Sequence, residues 1–348
     1  MSLPVKPPIA PMLAKLADEI PVGERWLYEP KWDGFRAVVF KDGQYVRLLS
    51  RDDRPLGRYF PELVSVLQAA PVDRFVADGE IVVVMGTGLG FDELLQRIHP
   101  AESRVRKLAA EWPATLVLFD ALARDDRDLR ALPFTERRAE LVRLLRDAGA
   151  NVRAGTVRDL RPGPELALTP QTDDLRLATT WFEDEEGVGQ DGIVAKPADL
   201  PYRSGERAMV KVKHHRTVDC VVGGYRPAKA GGGVGSLLLG LYDEDRALQF
   251  VGHTSSFTAA QRKDVRELVR TLEGGESFGQ GRTPGGPSRW SAGRDSSWVN
   301  IQPTLVCEVQ FDRLQGGRFR HAARFLRWRP DRDPRSCTFG QLLRSPPA

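Results

Sequence analysis

This sequence of 348 residues has no long apolar runs, no closely spaced cysteine pairs and only five histidines. A run of about 18 apolar residues, which a membrane-spanning helix requires, does not occur. The opening MSLPVKPPIAPMLAKL also lacks the apolar core and the small-residue cleavage site of a secretory signal. These absences exclude a membrane span and predict a cytoplasmic protein with no membrane partner.

Cysteine and histidine are too scattered for a zinc site built by the protein alone. Cys220, Cys307 and Cys337 form no CxxC pair, and among the five histidines only His214 and His215 are adjacent. Disulfides and a zinc cage are therefore disfavoured. Any metal that takes part is expected to be a hard cation held partly by phosphate oxygens.

Length and texture indicate two domains. At 348 residues and 38.7 kDa the chain exceeds what one hydrophobic core usually organises, and it contains no internal repeat. Strand-like and helix-like periodicities mix in the first part of the chain, whereas short strands dominate from Thr217 onward. We therefore predict domains at 1–214 and 215–348, with the boundary near 213–217.

The predicted elements favour an α+β fold. The first domain should contain strands at 35–40, 75–84 and 115–122 and helices at 91–98, 104–112, 135–149 and 173–186, with Gly149 and Gly187 as helix stops. Strands that cluster without regular helix alternation favour antiparallel sheets. In the second domain, about five short strands with one helix near 258–272 predict a small Greek-key barrel such as the OB-fold. The glycine-rich segment 274–297 is expected to be a mobile loop.

Positive charge is concentrated in the second half of the chain. Residues 1–213 carry 31 Lys and Arg against 34 Asp and Glu, whereas residues 214–348 carry 20 against 13. The segment GGRFRHAARFLRWRPDR (316–332) alone holds six arginines and one aspartate. Arginine forks suit phosphate oxygens, so this segment suits a polyanion, although a solvated charged face is the alternative.

A lysine beside a tight turn is the first candidate nucleophile. In EPKWDGFR (29–36), the proline forces Glu29 into an extended conformation, so Glu29 and Lys31 should project to the same side before the Asp-Gly turn. Lysine becomes a nucleophile when it loses its proton, which burial or neighbouring cations favour. A hairpin with exposed charges is the alternative interpretation.

Carboxylates and an aromatic residue mark two further segments. In FVADGEIVVV (75–84), alternation places Asp78 and Glu80 on one face, where they could hold ribose hydroxyls or a magnesium ion. A strand-end turn would explain them equally well. Phe119, in LFD at 118–120, could stack on a nucleobase, although a phenylalanine at such a position is more often part of a core.

Two lysine-bearing strands follow. DGIVAK (191–196) has Asp191 at a strand entry and Lys196 further along, and MVKVK (209–213) places Lys211 and Lys213 on one face by strict alternation. Ordinary half-buried strands carry similar patterns. The glycine run at 231–235 lacks the GxxxxGK[ST] pattern, so we predict a flexible hairpin loop there and no phosphate cradle.

The order of these segments is more specific than any one of them. KxDG with a trailing arginine, Ser50-Arg51, DGE, FD, DGIVxK, KxK and RxDR follow one another along the chain. This order resembles the nucleotidyltransferase superfamily of ATP-dependent DNA ligases, RNA ligases and mRNA capping enzymes. The opening PMLAKL and the closing HAARFLRWRPDR resemble bacterial ATP-dependent DNA ligases, especially the minimal two-domain C-type form of mycobacteria and related actinobacteria.

The resemblance implies a nucleotidyltransferase (adenylation) domain followed by an OB-fold domain, which together clamp on nicked DNA. It implies that Lys31 attacks the α-phosphate of ATP and becomes linked to AMP through a phosphoramidate. The AMP then passes to the 5′-phosphate at a nick, and the 3′-hydroxyl displaces it to seal the strand. ATP is favoured over NAD because the sequence has no cysteine zinc module.

The resemblance also implies a role for each matching residue. Adenine is contacted by Glu29 and Phe119, the ribose and phosphates are surrounded by Arg36, Arg51 and Glu80, and the nucleotide-binding set includes Lys196. The α-phosphate is neutralised by Lys211 and Lys213, and the leaving pyrophosphate is oriented by Arg329, Asp331 and Arg332. Phosphoryl-type transfer selects such cations because it depends on positioning and charge neutralisation.

A magnesium ion, with Mn²⁺ as an alternative, is expected at Glu80 and Asp191 by the same resemblance. The family usually has glutamate at the position of Asp191, and aspartate is one methylene shorter. The metal or its bridging water should therefore lie closer to the strand. We expect a monomer at the bacterial nucleoid that acts on nicked duplex DNA in repair and recombination, with a primase-polymerase or end-joining proteins as candidate partners.

Three other functions share this superfamily fold. A capping guanylyltransferase would use GTP, and the bacterial-looking flanks disfavour it. An RNA ligase would be recognised by its response to ribonucleotides at the 3′ side of a nick. An inactive nucleic-acid-binding homologue is disfavoured because Lys31, Glu80, Lys211 and Lys213 are all present.

We expect DNA affinity to fall steeply with salt, because the arginine-rich segment would bind mainly through phosphate contacts. If the four arginines of this segment outside RxDR each neutralise one phosphate, raising the salt from about 50 to about 200 mM should weaken binding of a nicked duplex about 10²-fold. Fluorescence anisotropy titrations at several salt concentrations measure this slope. A flat response would contradict the prediction.

Overall fold

The computed structural model describes residues 2–86, 88–149, 157–184, 190–214, 216–228, 233–278, 284, 297–312 and 314–343. Gly187, Gly231, Gly232 and most of the segment expected to be a mobile loop lie outside the described residues. The chain divides into two compact units, Met1–His214 and His215–Ala348. No helix in the described ranges is both long enough and apolar enough to cross a membrane.

The first unit is built from short and medium strands with five helices among its described residues. Its strands are β1 (Leu13–Ala17), β2 (Trp26–Trp32), β3 (Phe35–Asp42), β4 (Tyr45–Ser50), β5 (Arg74–Met85), β6 (Gly88–Leu89), β7 (Ala114–Arg124), β8 (Arg127–Asp128), β9 (Leu166–Leu168), β10 (Gln190–Pro197) and β11 (Arg207–Val212). Its helices are α1 (Pro61–Ala69), α2 (Phe91–Gln96), α3 (Glu102–Glu111), α4 (Phe134–Asp147) and α5 (Leu175–Asp184).

These strands form two sheets. The smaller has the order β1-β11-β10-β2, and the larger has the order β4-β3-β5-β7-β8, with β6 added to β5 and β9 added to β7. The strands predicted at 35–40, 75–84 and 115–122 form the centre of the larger sheet. Most pairs are antiparallel, but β1 pairs with β11 and β7 pairs with β9 in parallel. The α+β prediction is confirmed, and the two parallel pairings are additions that local patterns did not reveal.

Alternation along β3 and β5 gives the larger sheet two different faces. One face packs residues such as Val39 and Ala77 against leucines of α1 and α4. The other packs Val38, Phe40 and Val76 against the N-terminal segment. Residues 36, 78 and 80 share the parity of this second face, so the candidate charged residues lie opposite the main helical layer.

The lysine motif joins the two sheets. Lys31 lies on β2 in the smaller sheet, whereas the next strand, β3, belongs to the larger one. The link between them needs glycine, because a Cβ on Gly34 would lie 2.2 Å from the Ile81 carbonyl oxygen. The motif is therefore a crossing between sheets, and the interpretation as a hairpin with exposed charges is wrong.

The second unit contains an antiparallel sheet. Its strands are β12 (Arg216–Pro227), β13 (Val234–Tyr242), β14 (Leu248–Thr254), β15 (Val299–Phe311), β16 (Leu314–Gln315), β17 (Arg318–Phe319) and β18 (Arg324–Trp328), and its helix is α6 (Ala259–Arg270). The main sheet has the order β14-β13-β12-β15-β18, while β16 and β17 pair with each other. A single bridge between Thr254 and Ala323 connects the end of β14 to the start of β18.

Local sequence explains the helix of this unit. Thr258 accepts a hydrogen bond from the Gln261 backbone N–H, and the Gln261 side chain accepts one from the Thr258 backbone N–H, forming a capping box. Val265 and Val269 then face the core. The helix predicted near 258–272 is thus present, and its first turn is stabilised by its own side chains.

A buried ion pair stabilises the centre of the first unit. Arg137 of α4 donates to both carboxylate oxygens of Asp120 at 2.7 and 2.9 Å, and both side chains are at least 98% buried. The same guanidinium also donates to the Leu132 and Leu200 carbonyl oxygens, each at 2.7 Å. Because Asp120 follows Phe119 on β7, this pair fixes the strand that carries one candidate site residue.

We predict that Arg137→Leu lowers the free energy of unfolding of the first unit by about 3–5 kcal/mol, because it leaves the Asp120 carboxylate buried without its partner. Denaturant unfolding measures the change. Arg106→Ala serves as the matched control, since Arg106 and Glu102 form an exposed pair on one helix turn and should contribute about 0.5 kcal/mol or less. A loss from Arg137→Leu as small as that of the control would contradict the prediction.

Candidate active site

The candidate residues of the first unit come from strands of both its sheets. They are Glu29 and Lys31 on β2, Arg36 on β3, Glu80 on β5, Phe119 on β7, Asp191 and Lys196 on β10, Lys211 on β11, and Lys213 directly after β11. Three groups of contacts organise most of these side chains. One group surrounds Asp191, a second surrounds Glu29, and a third surrounds Asp78.

Asp191 is the centre of a lysine cluster. The Nζ atoms of Lys31 and Lys213 lie 2.8 and 2.7 Å from the same carboxylate oxygen, Oδ2 of Asp191. The three side chains are 19–26% exposed, so the cluster is accessible from solvent. Residues 160 positions apart in the sequence therefore meet at a single oxygen atom.

The pKa shifts of this cluster follow from burial and from charge. Burial alone would raise the pKa of Asp191, but Lys31 and Lys213 together outweigh it and hold that pKa well below its ordinary value. Burial lowers the pKa of Lys211, and the nearby charges of Lys31, Lys213 and Arg207 lower it further. The site thus favours the ionised form of Asp191 and disfavours the protonated form of Lys211.

A bulge in β10 places Asp191. The pairing of β10 with β2 shifts register between Gln190 and Ile193, and Gly192 within this irregularity has φ +132°. A Cβ at Gly192 would lie 1.9 Å from the Val212 carbonyl oxygen, so only glycine permits this approach of β10 to β11. The close approach brings Asp191 beside Lys213.

Glu29 is the centre of the second group. Lys196 Nζ lies 2.6 Å from its Oε2 atom, and Gln171 donates to its Oε1 atom at 3.1 Å. Arg138 lies 3.9 Å from Oε1. Both Glu29 and Lys196 are 3% exposed, so their charges are paired within the unit. Neither Gln171 nor Arg138 was a candidate from the sequence.

Phe119 lies between two cations. Lys196 Nζ is 4.7 Å and Arg36 Cζ is 4.5 Å from the centroid of its ring. This aromatic side chain is 8% exposed. The ring therefore connects the Glu29 group to the Asp78 group.

Arg36 is held by the third group. Its Nε and Nη2 atoms donate to the two carboxylate oxygens of Asp78, each at 2.6 Å, and Nη2 also donates to the Met12 carbonyl oxygen at 3.2 Å. The Tyr202 hydroxyl donates to Asp78 at 2.6 Å. Burial opposes the charge of Arg36, but Asp78 outweighs it and raises the pKa of the guanidinium. The arginine is therefore fixed as a permanent cation.

Glu80 is a carboxylate whose raised pKa a bound cation would lower. Burial, assisted by the nearby carboxylates of Asp33 and Asp78, raises its pKa to about 7 despite the opposing charges of Arg36 and Lys31. A divalent cation would favour its ionised form, so Glu80 fits a metal ligand. Within the described ranges, however, no three His, Cys, Asp or Glu side chains cluster as a metal cage.

Arg51 differs from the other candidates. Its side chain is 65% exposed, and its guanidinium lies 3.5 Å from Asp52. In the described part of the chain, no hydrogen bond or ion pair connects it to the three groups. It is available to a ligand from solvent but is not positioned by its neighbours.

The candidates of the second unit form a separate group after β18. Arg329 donates to the Asp331 carboxylate from Nε at 3.0 Å and from Nη2 at 2.8 Å. Its Nη1 atom donates to Asp219 at 3.0 Å. Arg332 Nε also donates to Asp219 at 3.0 Å. The hydrogen bond from Arg329 lowers the pKa of Asp331 to about 2. Asp219 was not a candidate from the sequence.

The missed residues share one property. Gln171, Tyr202 and Asp219 contact their partners across 142, 124 and at least 110 positions of sequence. None lies in a segment with a catalytic pattern, so no local signal identified them. Asp78 did carry a signal, because it shares a face with Glu80.

This arrangement of side chains suits the transfer of a phosphate-linked group. A primary amine lies beside two further lysines, a fixed arginine, and a carboxylate suited to a cation. Such groups neutralise charge that develops on phosphate oxygens, and the amine supplies a nucleophile. The fold and the site together define a nucleotidyl-transferring enzyme.

Comparison with known proteins agrees with this chemistry. The model of the ATP dependent DNA ligase domain matches residues 11–213, and that of the ATP dependent DNA ligase C terminal region matches residues 230–332. DNA ligase C of Mycobacterium tuberculosis is 48% identical over 357 residues, covering 99% of this chain and 96% of the relative. DNA ligase C2 of Mycolicibacterium smegmatis is 48% identical over 361 residues, covering 100% and 97%.

A solved structure of Lig E DNA ligases shows the same fold. It covers 92% of this chain and 100% of its own, with a TM-score of 0.55 and 17% identity. The chain therefore belongs to the ATP-dependent DNA ligases. The resemblance inferred from the order of motifs is confirmed, and so is the likeness of this chain to DNA ligase C. Membership of this family implies that the protein uses ATP.

We predict that Gly192→Ala disrupts the lysine cluster. The added Cβ would clash with the Val212 carbonyl oxygen and displace Asp191, which should cost about 2–4 kcal/mol of stability and greatly slow adenylation. Gly43→Ala is the control, because Gly43 has φ +60° but nothing within 4 Å of its added Cβ. This control should lose only about 1 kcal/mol.

Thermal unfolding and the rate of adenylation from ATP, measured on both variants, check this prediction. If Gly192→Ala behaves like Gly43→Ala in both measurements, close approach of β10 to β11 does not position Asp191.

Proposed function

We propose that this ATP-dependent DNA ligase seals nicks in duplex DNA through an AMP bound covalently to Lys31. The observation that carries the proposal is the shared Oδ2 atom of Asp191, which accepts hydrogen bonds from both Lys31 and Lys213. Family membership supplies the reaction class, and this geometry supports Lys31 as the nucleophile.

Lys31 must be neutral when its Nζ atom attacks the α-phosphate. Because Lys213 binds the same oxygen at 2.7 Å, the charge of Asp191 stays paired when Lys31 gives up its proton. Asp191 then holds Nζ in place through a hydrogen bond that the neutral amine can still donate. Attack forms the bond from Nζ to the α-phosphorus, the bond from that phosphorus to the bridging oxygen breaks so that pyrophosphate leaves, and the two protons that Nζ loses pass to solvent.

Lys211 and Lys213 would neutralise the α-phosphate. Lys211 projects from the same face of β11 as Lys213, while Val210 and Val212 are buried on the other face. Charge placed in advance stabilises the transition state without later rearrangement. Arg36, held by Asp78, would add a fixed positive charge near the nucleotide.

Glu29, Phe119 and Lys196 would form the base-binding part of the site. Phe119 offers a ring for stacking, and Glu29 offers carboxylate oxygens to an exocyclic amine. Because Lys196 and Gln171 already bind Glu29, the carboxylate is oriented before the nucleotide arrives. Arg51, which is exposed, would contact the nucleotide or nick phosphates from the solvent side.

Glu80, with Asp191, would hold Mg²⁺ together with phosphate oxygens. The ion supplies charge neutralisation and orients the polyphosphate. Glu80 fits because burial raises its pKa to about 7, so its ionised form gains from a bound cation. Asp191 already pairs with two lysines, which is consistent with an aspartate in place of the longer glutamate.

The arginine-rich second unit would supply contacts to DNA phosphates, and Arg329, Asp331 and Arg332 would orient the leaving pyrophosphate.

We further propose a monomer that acts at the nucleoid in repair, with a primase-polymerase or end-joining proteins as partners. Replacing the 3′-terminal nucleotides of the nick with ribonucleotides would measure the preference for DNA over RNA ends.

We expect purified protein incubated with ATP and Mg²⁺ to gain the mass of one AMP and to lose it when pyrophosphate is added. Lys31→Ala should abolish the gain, because Lys31 is the lysine of the KxDG motif, to which the family resemblance assigns the attack on ATP. Intact-mass spectrometry measures both steps. Lys15→Ala, which removes an exposed lysine of β1, is the control and should still form the adduct.

An adduct that persists in Lys31→Ala would contradict the assignment of the nucleophile. No adduct in the unaltered protein would contradict the proposed mechanism as a whole.

A further inference from the structure

One buried carboxylate connects the two arginines of the RxDR motif. Asp219, on β12, accepts hydrogen bonds from Arg329 Nη1 at 3.0 and 3.1 Å and from Arg332 Nε at 3.0 Å. The Asp219 side chain is 9% exposed, whereas Arg329 and Arg332 are 18% and 38% exposed. The carboxylate thus lies beneath two guanidinium groups that remain accessible to a ligand.

The other carboxylate bound to Arg329 is of a different kind. Asp331 is 62% exposed and lies only two positions away in the sequence. An exposed carboxylate can exchange with phosphate oxygens at little cost, because solvent stabilises it when it is released. A buried carboxylate cannot leave in this way, since it would lose its partners without gaining water. Asp219 is therefore the permanent anchor of Arg329, and Asp331 is the exchangeable one.

The backbone around Asp219 is held by strand pairing and by a side-chain hydrogen bond. Asp219 pairs with Glu308 in the ladder between β12 and β15, near the middle of the main sheet. Its carbonyl oxygen accepts a hydrogen bond from Gln341 Nε2 at 3.2 Å. Glu308 binds Arg327 at 2.7 Å and lies 3.9 Å from Arg329. The carboxylate of Asp219 is thus placed by the sheet.

A cavity lies beside this group. It has a volume of about 650 Å³ and is lined by Asp219, Glu308, Arg329, Arg332 and hydroxyl-bearing residues of the C-terminal segment. Such a volume admits a polyphosphate group, and the two arginines are the cations that line it. Their forks can therefore be reached by an anion without unfolding the segment.

We propose that Asp219 is the positioning residue that holds Arg329 and Arg332 together so that both orient the leaving pyrophosphate while Lys31 is adenylated. This inference rests on the proposed function. Two guanidinium groups that bind one anion repel each other, and the shared carboxylate offsets this repulsion. It also limits the rotamers of two long side chains, so the ligand does not have to order them.

The test separates adenylation from strand sealing. Asp219→Asn keeps the shape of the side chain but removes its charge and replaces one of its two acceptor oxygens with an N–H donor, so it can no longer anchor both arginines. With ATP and Mg²⁺ at saturating concentrations, we expect adenylation of Lys31 to slow by about ten- to a hundredfold. Sealing of a nicked duplex that already carries a 5′-adenylate should stay within about twofold of the unaltered protein.

Asp243→Asn is the matched control. Asp243 is a carboxylate of the same unit that accepts hydrogen bonds from the Ala247 backbone N–H and from Gln249 Nε2, each at 2.8 Å, and neither donor belongs to the RxDR motif. It should leave both rates within about twofold of the unaltered protein, even if stability falls. A general effect of weakening the second unit would therefore appear in the control as well.

Equal losses in adenylation and sealing, or an unchanged rate of adenylation, would overturn the inference. If Asp219→Asn does not fold, Asp219→Glu carries the test, because it keeps the charge and moves it by one methylene. A slower adenylation with normal sealing is then expected, and a normal rate of adenylation would overturn the inference. Adduct formation by the unaltered protein decides the proposed function separately.

Discussion

The interaction on which the candidate active site depends is the pairing of one carboxylate oxygen of Asp191 with the ammonium groups of Lys31 and Lys213. A nucleotide-transferring site needs several cations close together, yet like charges only a few ångströms apart repel each other strongly in a partly buried place. Asp191 offsets this repulsion without neutralising the cluster, since Lys211 remains in the same group of charges. This single carboxylate therefore holds Lys31 and Lys213 close together despite their like charges.

The same device recurs with arginine. Asp78 holds Arg36 through two hydrogen bonds and is itself fixed by Tyr202, and Asp219 holds Arg329 and Arg332. In each case the carboxylate is more deeply buried than the cation. A long cationic side chain loses much of its rotamer freedom when it binds phosphate. A buried anchor imposes that order during folding, so the ligand meets groups that are already oriented.

Two glycines allow the strands that carry the candidate residues of the first unit to approach each other closely. Gly34 lets the chain cross from β2 to β3 against the Ile81 carbonyl, and Gly192 lets β10 approach β11. A side chain at either position would separate strands that carry site residues on their opposing faces. Backbone proximity is therefore as necessary to the cluster as the charges are, and it explains why glycine occurs in both KxDG and DGIVxK in this chain.

Local patterns determined much of this protein by themselves. Period-2 alternation placed Lys211 with Lys213 and Asp78 with Glu80, hydrophobic runs located β3, β5 and β7, and the order of motifs identified the family. Only the tertiary structure decided which anchors the cations have. Hydrogen bonds join Gln171, Tyr202 and Asp219 to partners more than 100 positions away in the sequence. The bulge in β10 sets the position of Asp191. Periodicity reports which face a side chain takes, whereas partners on separate strands are selected by packing and register, which no local segment contains.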